Sequence, residues 1–130
     1  MRLLLDTHVL LWWVTGDRRL VKNLRVAIAS LENDVAVSTA TFWEIAIKKQ
    51  LGRIAIDVAD LVKTVRADGF EETALTAAHT LQIESLPLRH RDPFDRMLIA
   101  QTIVEGRRFV TRDELILAYA GTPGFVPFSA

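Results

Sequence analysis

Hydrophobic positions along this chain fall into two patterns, short unbroken runs and longer stretches at helical spacing. Leu3-Leu4-Leu5 is wholly apolar and stops at Asp6, and Val35-Ala36-Val37 is a second such run. A strand buried on both faces reads this way. His8 to Val14 follows the first run as a helix. Leu20, Leu24, Ala27, Ile28 and Leu31 share a face at helical spacing, which predicts a helix from Leu20 to Leu31, broken by Asn33-Asp34. After the second run, Ser38 to Thr41 offers several N-caps for a helix through Leu51, closed by Gly52.

The pattern then repeats with shorter strands. Asp57 caps a predicted helix from Val58 to Ala67, Asp68-Gly69 ends it, and Phe70 to Leu75 is extended. Thr76 to Ile83 is helical again. Pro87 opens a basic loop over Leu88 to Arg91, and Asp92-Pro93 starts a helix with Asp at the N-cap and Pro at N1, ending near Gly106. Phe109-Val110 is a strand, Asp113 to Ala120 a short helix, and Phe125-Val126-Pro127 an edge strand, where proline is tolerated. Strands alternating with helices predict an α/β fold, a three-layer sandwich around a mostly parallel sheet.

Length, charge and cysteine count narrow this picture. The chain has 130 residues, enough for one domain over 1–130 and no second core. Sixteen Lys and Arg balance sixteen Asp and Glu, so any nucleic-acid contact is local rather than a global basic field. Without cysteine there is no disulfide framework, no thiolate catalysis and no Cys-based zinc site. The apolar run Val9 to Val14 is too short for a membrane span, and Asp6 interrupts the leader, so the expectation is a cytoplasmic protein with no membrane partner.

Ligands of parallel sheets bind beyond the carboxyl ends of the strands, and this sequence places acids there. Asp6 ends the first strand, Glu44 is expected in the first turn of the helix after the second, Asp113 follows Phe109-Val110, and Asp92 and Asp95 open the Asp-Pro-Phe-Asp helix. Carboxylates gathered on one edge repel unless a cation neutralises them. Hard oxygen donors describe a Mg²⁺ or Mn²⁺ site, and such sites hydrolyse or transfer phosphate esters. Each acid also has a purely structural role open to it. Glu44 stands three after Thr41, as in a capping box, and four before Lys48, as in a helical ion pair. Asp92 suits an N-cap, Asp95 the helix dipole, and Asp113 the cap of the following helix. Asp6 is harder to explain structurally, because a carboxylate ending an apolar strand sits against the core and needs a partner.

Four blocks of sequence, LLLDTHVLLWW, STATFWEIAIKKQLGRI, HRDPFDRMLIAQ and FVTRDELI, together span nearly the whole chain. In this order the chain resembles the PIN domain, and within it the VapC-type toxins of bacterial toxin–antitoxin pairs. The resemblance implies that Asp6, Glu44, Asp95 and Asp113 form an acidic metal-binding quartet, with Asp92 as a further possible ligand. It implies metal-dependent cleavage of RNA by activated water with Mg²⁺ or Mn²⁺, a homodimer, and a small antitoxin lodged near the active site. Lys48, Lys49, Arg53, Arg89, Arg91 and Arg96 are candidates to hold the RNA backbone, each with a solvated surface as its structural alternative.

Other residues bear on competing chemistries. His8, His79 and His90 suggest a metal-free ribonuclease with two imidazoles, against which His79 falls in an apolar helix and packs, while His8 and His90 take supporting or capping roles. Thr7 and Thr111 are placed to orient ligands or water, or to serve as turn residues. Trp12, Trp13, Phe42 and Trp43 form two adjacent pairs; neighbours on a helix point about 100° apart, so one of each pair is expected in the core and the other at an interface. A receiver domain would need an adjacent acidic pair after the first strand and a late lysine, but Thr7-His8 and Thr111-Arg112-Asp113 stand there. A dehalogenase-type phosphatase would need a second Asp at position 8, which is His8. A housekeeping nuclease of the same fold is the alternative to a toxin.

Overall fold

All five predicted strands form and every pairing is parallel. In the computed structural model, which describes residues 1–128, β1 (Arg2–Leu5), β2 (Asp34–Ser38), β3 (Glu71–Thr73), β4 (Arg108–Val110) and β5 (Val126–Pro127) lie in the order β3-β2-β1-β4-β5. The helices are α1 (Thr7–Thr15), α2 (Lys22–Ala29), α3 (Thr39–Gln50), α4 (Val58–Ala67), α5 (Ala77–Glu84), α6 (Pro93–Glu105) and α7 (Glu114–Leu117). None of the helices among the described residues is long and apolar enough to cross a membrane.

The unbroken apolar runs are explained by helices on both faces of the sheet. Leu3, Leu5, Val35, Val37 and Val110 join one buried cluster with residues of α1, α2 and α4, while Leu4, Ala36 and Phe109 join another with Leu98, Ile99, Ile116 and Tyr119. Successive strand residues therefore enter opposite cores. From β1 the chain winds through β2 to β3 on one side, and β4 and β5 then fill the other side of β1. The reversal lies between β1 and β4, where parallel sheets open a crevice beyond their carboxyl ends. Leu5 pairs with Val110, and the Asp6 N–H donates to the Val110 carbonyl at 2.9 Å.

One helix differs from the periodicity. α2 begins at Lys22 and ends at Ala29; Leu20 is buried ahead of it, but Leu31 is fully exposed. Ser30 turns to extended backbone, and the Asn33 side-chain amide donates to the Ala27 carbonyl at 2.9 Å, capping the helix two residues before Leu31 can join its buried face. By contrast α6 runs as expected from the Asp92 cap and ends at Gly106, whose φ of 66° is the left-handed conformation that favours glycine.

Candidate functional site

Asp6 occupies the N-cap position of α1 but makes no capping hydrogen bond. Three other expected acids or hydroxyls do cap: Ser38 accepts from Ala40 N–H, Asp92 from Phe94 and Asp95 N–H, and Asp113 from Leu115 N–H. The Asp6 side chain is instead buried at the β1–β4 crevice, where Thr111 donates to its Oδ2 at 2.8 Å and Oδ1 has no hydrogen-bond partner. An unmatched buried carboxylate oxygen is costly and asks for a cation.

The other acids converge on it. Burial pushes the Asp6 carboxyl up to about 6, with the charges of Asp113 and Glu44 acting the same way against the Thr111 hydrogen bond. Burial also pushes Asp95 up to about 6, opposed by a hydrogen bond with His90 and reinforced by the charges of Asp6, Asp92 and Glu44. One donor atom each from His90, Asp95 and Asp113 lies within 4.8 Å of the other two. The charges of Asp113 and Glu44 thus reach Asp6, and those of Asp6, Asp92 and Glu44 reach Asp95, and this mutual repulsion gives the cluster affinity for a positive charge. Its oxygen-rich donor set fits a hard divalent cation, with Asp6, Asp95 and Asp113 as the residues that would hold it.

Glu44 lies differently from the expectation. Because Ser38 is the cap of α3, Glu44 falls in the second turn and Thr41 lies inside the helix, so there is no Thr41–Glu44 capping box. Both Glu44 oxygens are engaged: Thr7 donates to Oε1 at 2.8 Å and Lys48 to Oε2 at 2.7 Å, the expected helical ion pair. Thr7 and Thr41 hydroxyls are 3.1 Å apart. Since the Thr7 proton goes to Glu44, Thr41 donates to Thr7, a three-group chain that fixes the carboxylate.

Among the candidate basic residues, Arg96 is corrected. It is buried, and its guanidinium donates to the Pro87 and Ile83 carbonyls and, at 2.9 Å, to the Tyr119 hydroxyl. Spacing carried the signal, since Arg96 shares the i, i+3, i+4 face with buried Ile99 and Ala100. Arg96→Met is expected to lose about 2–4 kcal/mol of stability, because two carbonyls are left unmatched and the Tyr119 hydroxyl loses one of its donors. A denaturant titration measures it, and a change within about 0.5 kcal/mol would restore the surface reading. Arg53, Arg89, Arg91 and Lys49 are exposed, and Arg89 also donates to the Ala118 carbonyl. Arg53 lies three residues past the end of α3, beyond the helix that carries Glu44.

The aromatic pairs divide unevenly. Phe42 packs on the core while Trp43 is 57% exposed, with its ring 4.9 Å from Phe94, as the one-in, one-out expectation has it. Trp12 and Trp13 depart from it, both being half-buried. The Trp13 indole donates to Asp68 and stacks near Phe70, and Trp12 lies under the Arg19 guanidinium. His79 is buried, its Nδ1 accepting from Thr76 N–H and its Nε2 facing Glu105, as expected of a packed histidine; His8 is exposed beside Trp12.

Comparison with known proteins places this arrangement. The PIN domain family model matches residues 3–121. Ribonuclease VapC22 of Mycobacterium tuberculosis is 30% identical over 122 residues, covering 89% of this chain and 90% of that protein. Two solved structures share the fold. One is VapBC2 of Rickettsia felis bound to a promoter DNA fragment (TM-score 0.69, 14% identity) and the other a toxin–antitoxin complex of Klebsiella pneumoniae (TM-score 0.62, 20% identity), each aligned over 98% of both chains. By the family match over most of its length and the relative at 30% identity, the chain belongs to the PIN domain family, in its VapC-type branch.

Proposed function

We propose that this protein is a metal-dependent endoribonuclease that acts in the cytoplasm as the toxin of a toxin–antitoxin pair. The observation that carries the reading is the buried, partnerless Oδ1 of Asp6, whose carboxyl feels the charge of Asp113 and adds its own to Asp95, in a VapC-type chain. Bound Mg²⁺ or Mn²⁺ supplies charge neutralisation, a Lewis acid for a phosphate oxygen and water acidic enough to attack at neutral pH. The protein's part is placement. Thr111 orients Asp6 through Oδ2, His90 orients Asp95, and the Thr41–Thr7 chain with Lys48 holds Glu44. Lys48, Arg53 and Arg91 are proposed to bind the RNA backbone, while buried Arg96 is not.

Beside the pocket, Ala40, Trp43, Leu75, Ile83, Pro93, Phe94 and Met97 line an apolar cleft of about 180 Å³. Trp43 and Phe94 each directly precede an acid of the pocket, Glu44 and Asp95. The cleft suits an apolar side chain of an antitoxin segment whose basic residue reaches the carboxylates in place of metal. A homodimer completes the proposal, its test being the mass in solution by light scattering. The reading as a whole is tested by expressing the chain alone and with the neighbouring small gene. Growth should stop in the first case and recover in the second, with a complex that co-purifies, and the purified chain should cleave RNA with Mg²⁺ or Mn²⁺ but not with EDTA. Cleavage undiminished by chelator overturns the metal mechanism; harmless expression of active protein leaves a housekeeping nuclease.

A further inference from the structure

We propose that His90 is a metal ligand of this site, supplying one nitrogen to an otherwise oxygen-donor set and biasing the site toward Mn²⁺ over Mg²⁺. The inference rests on the metal-binding reading above and adds a donor to it.

Three observations carry it. First, one donor atom each of His90, Asp95 and Asp113 falls within 4.8 Å of the others; the His90 Nε2 and Asp95 Oδ2, 2.7 Å apart, share a hydrogen bond in the metal-free protein, whose proton goes to solvent when the cation takes its place between them. Neighbouring donors about 3 Å apart and opposite donors about 4.3 Å apart are what octahedral coordination at 2.0–2.2 Å needs. Second, Asp6, close enough that its charge couples with those of Asp95 and Asp113, has a buried and partnerless Oδ1, an independent sign that a cation belongs here.

Third, the position of His90 is built. It lies on an irregular loop between α5 and α6, where side chains ordinarily lack fixed placement. Here the His90 N–H donates to the Tyr119 hydroxyl at 3.0 Å, and that hydroxyl is donated to in turn by Arg96 at 2.9 Å. Arg96 also donates to the Pro87 carbonyl, so both ends of the loop are tied to one guanidinium. Arg96 directly follows Asp95 and Tyr119 lies six beyond Asp113, so one buried pair locks the backbone of His90 to the elements carrying the two acids. A surface loop gains nothing from such bracing unless its side chain has to be held, as metal ligands are.

Imidazole favours first-row transition ions over Mg²⁺, which prefers oxygen and water. The experiment uses Mn²⁺ and Mg²⁺ alone, without RNA, on the wild-type chain, His90→Gln and His90→Ala, each first shown folded by circular dichroism and thermal melting. Gln retains a donor that can reach Asp95 but offers no imidazole. Pulsed EPR of the Mn²⁺-loaded wild type should show a directly coordinated ¹⁴N, lost in both variants. Mn²⁺ affinity should fall about 10- to 100-fold in both, and Mg²⁺ affinity no more than about 3-fold. Bound Mn²⁺ without ¹⁴N coupling, coupling that survives in His90→Ala, or full Mn²⁺ affinity in His90→Gln overturns the proposal while leaving an all-oxygen site standing. Absence of Mn²⁺ binding by the folded wild type overturns this inference and the metal-binding reading together.

Discussion

Asp6→Asn is expected to reduce RNA cleavage at saturating Mg²⁺ or Mn²⁺ by at least about 10³-fold, and to relieve growth arrest, without loss of fold. The substitution is nearly isosteric, and asparagine keeps an oxygen to accept from Thr111, so the Thr111–Asp6 link survives. What is lost is the charge on Oδ1, a buried oxygen without a hydrogen-bond partner. Asp95→Asn should be comparably severe. Asp92→Asn should be mild, since asparagine caps as well as aspartate and the Asp92 Oδ1 is already spent on the Phe94 and Asp95 amides. Initial-rate assays of the three variants decide the assignment. Wild-type rates for Asp6→Asn would remove the pocket from the chemistry, and an Asp92 variant weaker than the Asp95 variant would exchange the roles of those two acids.

The ranking of these acids shows where sequence reasoning reached its limit. A strand ending Leu-Leu-Leu-Asp, or a helix opening Asp-Pro, is a local pattern, and such patterns placed every strand and the ends of most helices correctly. The same local logic also offered capping as the role of Asp92 and Asp113 alike, while Asp6 already stood apart as a carboxylate against the core, and only the fold separates the first two. Asp92 caps, Asp113 caps while facing the pocket, and Asp6 does neither of these local jobs. The misplaced end of α2 has a related cause: Leu31 fits the apolar stripe, but a side-chain bond from Asn33 to Ala27 stops the helix first. Arg96 was misread because a charged side chain is ordinarily a surface one, although its spacing pointed inward. Its partner Tyr119 lies 23 residues away, and no one-dimensional pattern joins them.

Stability of the metal-free protein should fall as pH rises from about 4 to about 6.5, and added Mn²⁺ or Mg²⁺ should reverse the fall. Asp6 and Asp95 are each held up near 6, against about 4 in an unfolded chain. Below about pH 4 both states carry the proton and neither group costs anything. Between about 4 and 6 the unfolded chain ionises while the folded pocket stays protonated, so folding weakens, and above about 6.5 the full penalty is present. For Asp6 that penalty is on the order of 3 kcal/mol; the Asp95 share is smaller because its side chain is partly solvated, and the two interact and do not simply add. Carboxyls held low act in the opposite sense but outside this window: Asp17, fixed by Arg19, titrates near 2. Thermal melts in EDTA across pH 4.5–7.5, for wild type and Asp6→Asn, isolate the pocket as the difference between the two slopes. The asparagine variant should be the more stable protein at pH 7.5 without metal, and should gain less than the wild type when metal is added, where binding at 100 times Kd contributes about 2.7 kcal/mol. Parallel slopes for the two proteins in EDTA would mean that Asp6 is neutralised from within the fold, and the repulsion on which the affinity of the pocket for a cation rests would have to be abandoned.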